Sequence, residues 1–267
     1  ALGEVETAAV LAVRLASLTR GHCGVRVEVV ERLCDLLNLR ILPRIPSIGS
    51  VGASGDLTPL SYVAALLVGE REVLVHETDP DAPQRTMPAA QALAAAGLEP
   101  LTLLAKESLS VMNGTSVMTA LACLAYDRSK RLARWVAALT AVASDVLRGN
   151  PAHFDARLFA LKPYPGQAAV ARWIREDIGY DARVADANPA RLQDRYSIRC
   201  VPHIVGVLVD CLPWLRTWIE TEINSVNDNP IIDADAGVIL HGGNFYGGHM
   251  GFAMDGLKTA VANLADL

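Results

Sequence analysis

The chain has 267 residues, a formal net charge of -5, and 51% hydrophobic but only 5% aromatic residues. This is rich enough for an extensive core and excludes intrinsic disorder, while the acidic balance without a Lys/Arg cluster excludes an electrostatic nucleic-acid surface. Five scattered cysteines without CxxC spacing argue against a disulfide framework and against zinc, and for reduced thiols in a cytoplasm.

Taken in chain order, helical periodicity dominates. Residues 3–20 and 27–38 read as helices, separated by Gly21 and Gly24. Pro43 to Gly55 reads as irregular, and a helix follows at about 59–69, with Thr58 able to serve as N-cap and Pro59 to take the first helical position. Residues 73–87 suggest a short hairpin or loop, and 88–96 a short helix ended by Gly97. After Asn113-Gly114 comes the longest pattern, 116–148, apolar on most sides and stopped by Asn150-Pro151. The basic stretch Arg128 to Arg134 reads as its exposed face. A loop at 151–165 leads to a helix at 166–178. An irregular start at 185–199 then leads to a second long apolar helix at about 202–223. The segment "IIDADAGVILHGG" suggests a hairpin turning near Ala236-Gly237, and a last helix starts near Gly247. The uncharged run Ser108 to Tyr126 is long enough to span a bilayer, but Asn113, Gly114, Thr115 and Ser116 inside it favour a buried segment. The expected fold is all-α: a bundle of long antiparallel helices with irregular, glycine-bearing loops and short hairpins. Both ends fall inside helical patterns, which suggests part of a longer protein.

Five polar loops interrupt this scaffold: "GSVGASGDLTPLSY" from Gly49, "VMNGTS" from Val111, "LQDRYSIRC" from Leu192, "SVNDNPII" from Ser225 and "GGNFYGG" from Gly242. Taken alone, the first is a turn before a helix. Together and in this order, the five resemble the histidine/phenylalanine/tyrosine ammonia-lyase family, which includes the 2,3-aminomutases. The resemblance runs from "GVR" at Gly24–Arg26 to the last helix.

The resemblance implies that Ala53, Ser54 and Gly55 cyclise into a methylidene-imidazolone, an electrophilic prosthetic group, with no metal and no nucleotide. The residue types suit this: Gly55 lacks the Cβ that would block its nitrogen from the Ala53 carbonyl, and Ser54 supplies the hydroxyl lost as water. The resemblance further implies that Tyr196 donates or relays a proton and that Arg199 binds the substrate carboxylate with its planar fork. Asn113 and Gln193 would contact the substrate or the prosthetic oxygen in an oxyanion-hole type of role. Asp56 and Phe245 would shape the pocket in which cyclisation occurs. "NDNP", Asn227 to Pro230, reads as a structural turn. The six histidines show no metal-ligand spacing.

The expected activity is elimination of ammonia from Tyr, Phe or His. The alternatives are a 2,3-aminomutase and an inactive scaffold of the same fold. Arg195 and Tyr246 stand where histidine enzymes often carry a small residue and many lyases a histidine, which pulls gently toward Phe or Tyr. The family's strongest base, a tyrosine, belongs to an N-terminal segment preceding this sequence, and a glutamate used in histidine enzymes would follow Leu267. The expected organisation is a prosthetic-group part over 1–112 and a helical bundle over 113–267. Family members are typically homotetramers with shared sites, and no nucleic-acid or membrane partner is expected.

Overall fold

The computed structural model describes residues 1–50, 55–75, 85–180 and 192–267. Within them α1 (Glu4–Leu18) and α2 (Val27–Asn38) follow the expected helices closely. Gly3 caps α1, and Glu4 and Glu6 in its first turn suit the positive end of the helix dipole. A short strand β1 (Ile41–Pro43) then appears where the sequence suggests only irregular chain. Its three residues are buried and pair antiparallel with β2 (Glu72–Val75), Leu42 opposite Leu74. Three residues are too short for a period-two pattern, so tertiary pairing alone defines this strand.

The helix α3 (Leu57–Leu67) starts two residues earlier than expected, and its N-cap is Asp56, not Thr58. Pro59 therefore sits within the first turn, where a missing N–H still costs nothing. Strands β2 and β3 (Arg85–Pro88) form an antiparallel ladder in the register Val73 to Met87. The short helix α4 (Ala89–Ala95) follows and ends before Gly97. A further helix, α5 (Glu107–Met112), lies in a stretch where periodicity predicts no element. After a break at Asn113–Thr115 comes α6 (Ser116–Val146).

The 151–165 stretch is more ordered than a loop. It holds a 3₁₀ turn (Pro151–Phe154) and α7 (Ala156–Ala160), each opened by a side-chain cap: Asn150 accepts from the Ala152 N–H and Asp155 from the Arg157 N–H. Next come α8 (Pro165–Ile178), closed by left-handed Gly179, the one-turn α9 (Tyr196–Arg199) and α10 (Val201–Ile223). Strands β4 (Ile231–Asp233) and β5 (Val238–Leu240) form the expected hairpin, and α11 (Gly248–Ala265) follows.

The chain divides into two compact units, Ala1–Leu124 with Ile219–Gly251, and Ala125–Trp218 with Phe252–Leu267. The first is built on Val10, Leu11, Leu33, Leu60, Leu66 and Leu93, all fully buried. Each such leucine contributes roughly 2 kcal/mol by leaving water. The second packs Phe154, Ile174, Val205, Leu208 and Leu215 around the alanine face Ala133, Ala137 and Ala141 of α6. The opposite face of the same helix exposes Leu132, Trp135, Leu139, Val142 and Val146. Their three-four spacing is that of a coiled-coil seam.

By length and hydropathy Glu107–Val146 and Tyr196–Ile223 reach membrane-span dimensions. The first is broken at Asn113–Thr115 and buries Ser110, Thr115, Ser116 and Thr119 in the first unit.

Candidate functional site

The expected prosthetic tripeptide ends at Gly55; Ala53 and Ser54 lie outside the described residues. Gly55 has φ +68°, and a Cβ there would come within 2.8 Å of Met118 Cε. Its left-handed backbone therefore favours glycine, while the Met118 methyl, at the end of a flexible side chain, could give way. The Ser50 hydroxyl donates to the Gly55 carbonyl. Beside it is a cavity of about 120 Å³ lined by Ser50, Asp56, Pro59, Val117 and Met118, among others.

Asp56 is buried, and its Oδ2 accepts the backbone N–H of Val117 at 2.8 Å and of Met118 at 3.0 Å. These are the donors that an N-cap side chain normally satisfies. The residue at the start of α6, Thr115, is engaged elsewhere: its hydroxyl donates to Glu222 Oε1 at 2.6 Å. Asp56 thus replaces the local cap and ties the end of the tripeptide to α6. Burial pushes its carboxyl up to about 6, against the opposing pull of the two N–H groups and of Arg14.

Asn113 lies three residues before α6 and is buried. Its Nδ2 donates to Asp228 Oδ1 at 3.2 Å and to the Asn229 carbonyl at 3.1 Å. The "NDNP" turn is therefore a hub and not merely a bend. The Asn227 carbonyl accepts from Arg14 Nη1 at 3.0 Å, and Asp228 pairs with Lys106. Asn229 Oδ1 accepts from the Gly242 N–H at 2.9 Å. With Asn244 Nδ2 donating to the Val226 carbonyl at 3.3 Å, this anchors the loop that carries half-buried Phe245. Gly55, Asp56, Asn113 and the Phe245 loop are thereby joined to the same structural core of the first unit.

Arg14 is wholly buried and, among the described residues, is bonded to no carboxylate. It donates to the carbonyls of Asn227 and Ser110, and its pKa is lowered by that burial. Glu107, also buried, receives a bidentate fork from Arg26 at 2.8 and 2.9 Å and the backbone N–H of Leu104 at 2.7 Å. Arg14, Lys106 and Glu107 belong to no motif in the sequence and were not expected here, and Asp228 was read only as part of the "NDNP" turn. One signal was available: Arg14 falls in the apolar stripe of α1 beside Val10, Leu11 and Leu18, where a charge demands partners.

The second unit carries the other expected residues. Tyr196 and Arg199 open and close the single turn of α9, which puts both on one side of it. Gln193 and Tyr196 are exposed, and Arg199 is half-buried. The support is Asp194. Its Oδ2 accepts the Asn150 N–H at 2.7 Å, its own N–H donates to His153 Nε2 at 2.9 Å, and its carbonyl accepts from Arg199 Nε at 3.1 Å. Burial lowers the pKa of His153, consistent with a neutral ring whose Nε2 accepts. Arg199 is thus aimed through its Nε by a backbone carbonyl, not by the Asp194 carboxylate. The contact between Asp194 and His153 was likewise not expected, because it spans 41 residues of sequence.

All five cysteines are free thiols, and burial raises that of Cys23 to about 11. Among the described residues no group of three His, Cys, Asp or Glu side chains could hold a metal ion.

The family model described as aromatic amino acid lyase matches residues 1–267. The chain is 42% identical over 259 residues to a histidine ammonia-lyase from Aromatoleum aromaticum, covering 97% of this chain and 48% of that protein. Among solved structures, tyrosine aminomutase from Streptomyces globisporus matches with TM-score 0.83 and 35% identity over 97% of this chain and 51% of that one. Histidine ammonia-lyase from Trypanosoma cruzi matches with TM-score 0.85 and 30% identity over 99% and 48%. The chain spans about half the length of the curated relatives it matches.

Proposed function

Since this chain belongs to the aromatic amino acid lyase family, we propose that the full-length protein eliminates ammonia from an aromatic amino acid to give an α,β-unsaturated acid. Histidine is the first substrate to try, because curated relatives bear that activity in their names; tyrosine and phenylalanine follow. The observation that carries the reading is the Ala-Ser-Gly-Asp run, with Gly55 at φ +68° and Asp56 locked onto α6.

When formed from Ala53-Ser54-Gly55, the methylidene-imidazolone supplies an electrophile that makes the α-amine a better leaving group. The chain's own residues bind and orient. Arg199 has Nε fixed on the Asp194 carbonyl, and its outer nitrogens serve the substrate carboxylate. Tyr196, on the same turn, handles a proton. Gln193 and Asn113 supply amide contacts, and Asp56 with Phe245 encloses the cyclising loop. The exposed seam Leu132, Trp135, Leu139, Val142 and Val146 supports a homo-oligomer, for which a homotetramer is the proposal. Five free thiols suit a cytoplasm. For domains, a prosthetic-group part over 1–112 and a bundle over 113–267 remain the proposed division.

Similarity to tyrosine aminomutase favours a second reading, in which ammonia is re-added at the β-carbon. Both readings are tested on the full-length protein. Its peptide spanning 53–55 is expected to lack two waters, and histidine, tyrosine and phenylalanine are each incubated with it. An unsaturated acid marks the lyase and a β-amino acid the mutase. A folded protein with the unmodified tripeptide mass overturns both.

A further inference from the structure

The segment after α6 grips the loop that carries Arg199. The Asn150 N–H donates to Asp194 Oδ2 at 2.7 Å, Asn150 Nδ2 reaches the Leu192 carbonyl at 3.4 Å, and the Asp194 N–H donates to His153 Nε2 at 2.9 Å. His153 is set for this by the 3₁₀ turn Pro151–Phe154, which Asn150 caps and the fully buried Phe154 pins. A backbone N–H can only donate. Nε2 therefore accepts, and the ring is neutral with its proton on Nδ1. On the other side of the Asp194 Cα, the Asp194 carbonyl accepts Arg199 Nε at 3.1 Å. The two peptide planes that meet at Asp194 thus join His153 to the guanidinium.

We infer that neutral His153 is a positioning residue for the reaction: it accepts the Asp194 N–H and so holds the carbonyl that aims Arg199 at the substrate carboxylate, and protonation of its ring releases that hold. This rests on the lyase reading above. A proton on Nε2 faces the Asp194 N–H, donor against donor. Asp194 Oδ2, at 3.7 Å, is then the acceptor within reach, and turning to it takes the ring from the backbone. Among the described residues the charged groups that act on the ring are Asp194 and Arg199, both on the facing 192–199 segment. From α8, Arg175 is bonded to the Phe154 carbonyl, and beside the turn Asp155 is paired with Arg157 and accepts from Tyr180. The His153 side chain is only 15% exposed, and burial outweighs the attraction of Asp194, so the ring is neutral at neutral pH. The hold on Arg199 is therefore intact at neutral pH and is lost on the acid side.

The test uses the full-length enzyme, with its tripeptide mass and melting temperature recorded for each variant. Two inhibitors with the ring of the substrate are compared, the 3-arylpropanoate and its neutral amide, so that any titration of the ring cancels in the ratio of their affinities. In the wild type the preference for the carboxylate is expected to fall about fivefold between about pH 8 and about pH 5.5, the size of one lost hydrogen bond. His153→Gln puts an amide oxygen where Nε2 sits and cannot titrate. Its preference is expected within about twofold of wild type at pH 8, and flat with pH. His153→Leu has no acceptor and is expected to show the low preference at both ends. Its KM rises about fivefold with kcat within about twofold, because the carboxylate contact is made in ground and transition states alike.

The inference is overturned by a wild-type preference that stays flat as pH falls. It is overturned equally by one that rises, which is what a His153 cation would give by charge alone. A His153→Gln variant with the same fall as wild type overturns it too. So does a His153→Leu variant with a lowered melting temperature and an unchanged preference, since His153 then only supports the loop. If either variant does not fold, the wild-type profile and the other variant decide. Failure of the lyase reading looks different: the wild-type protein then shows no turnover and a full tripeptide mass, and the inference falls with it.

Discussion

Asp56 caps a helix other than its own: its Oδ2 holds the backbone N–H of Val117 at 2.8 Å, in the first turn of α6. Its pKa, raised by burial to about 6, makes this contact sensitive to pH. Below about pH 4 the group is protonated in both folded and unfolded chains. Between about 4 and 6 the unfolded chain ionises and the folded one does not, so stability falls as pH rises through that window and then levels off. A carboxyl raised this far corresponds to roughly 3 kcal/mol between the two ends of the window. Asp56→Asn keeps a neutral acceptor and lacks the slope. Its melting temperature relative to wild type is therefore expected to rise between pH 4 and 7, and a gap that stays constant with pH contradicts the assignment.

Glu107 has the opposite linkage. The Arg26 fork, above the backbone donors Leu104 and Arg26, holds its carboxyl down to about 2. Its stabilisation is present above about pH 4.5 and is lost as pH falls toward 2. Arg26→Ala leaves a buried carboxylate with backbone donors only. A drop of about 5 °C or more in melting temperature at pH 7 is expected, shrinking at pH 3. Pairing it with Glu107→Gln should recover part of the loss, read from the same melts.

Gly114→Ala tests the hub around "NDNP". A Cβ at Gly114 would come 2.2 Å from Arg14 Nη1 and 2.7 Å from the Asn227 carbonyl. Neither can yield: one is a buried guanidinium already bonded to two carbonyls, and the other is backbone. Overpacking of this kind costs about 2–4 kcal/mol. Chemical denaturation is expected to show a lowered midpoint, and an unchanged midpoint means that this close approach is not maintained in solution.

Arg199→Lys separates binding from scaffolding. Lysine keeps the charge and loses the planar fork, along with the Nε donor to the Asp194 carbonyl. A bidentate contact to the substrate is worth roughly 2–3 kcal/mol, or about 30- to 150-fold in kcat/KM. That loss is expected with little change in melting temperature. Normal kinetics together with a lowered melting temperature would reassign Arg199 to holding the 193–199 turn.

Much of this protein was legible from sequence. The boundaries of α2 and the start of α6 followed from periodicity and from breakers such as Gly21 and Asn113-Gly114, because local chemistry decides them. The β4–β5 hairpin followed from its Ala236-Gly237 turn. The five loops, read as sequence, sufficed to indicate the family. Tertiary structure decided what depends on distant partners. Strand β1 exists only because Leu42 meets Leu74. The α3 cap moved to Asp56, whose side chain serves α6 instead. Asp228 proved to be the anchor of Asn113, 115 residues away. A sequence states which groups can donate, accept or ionise. Which donor meets which acceptor, and how far burial shifts Asp56 from an ordinary carboxyl, is set by packing between segments far apart in the chain.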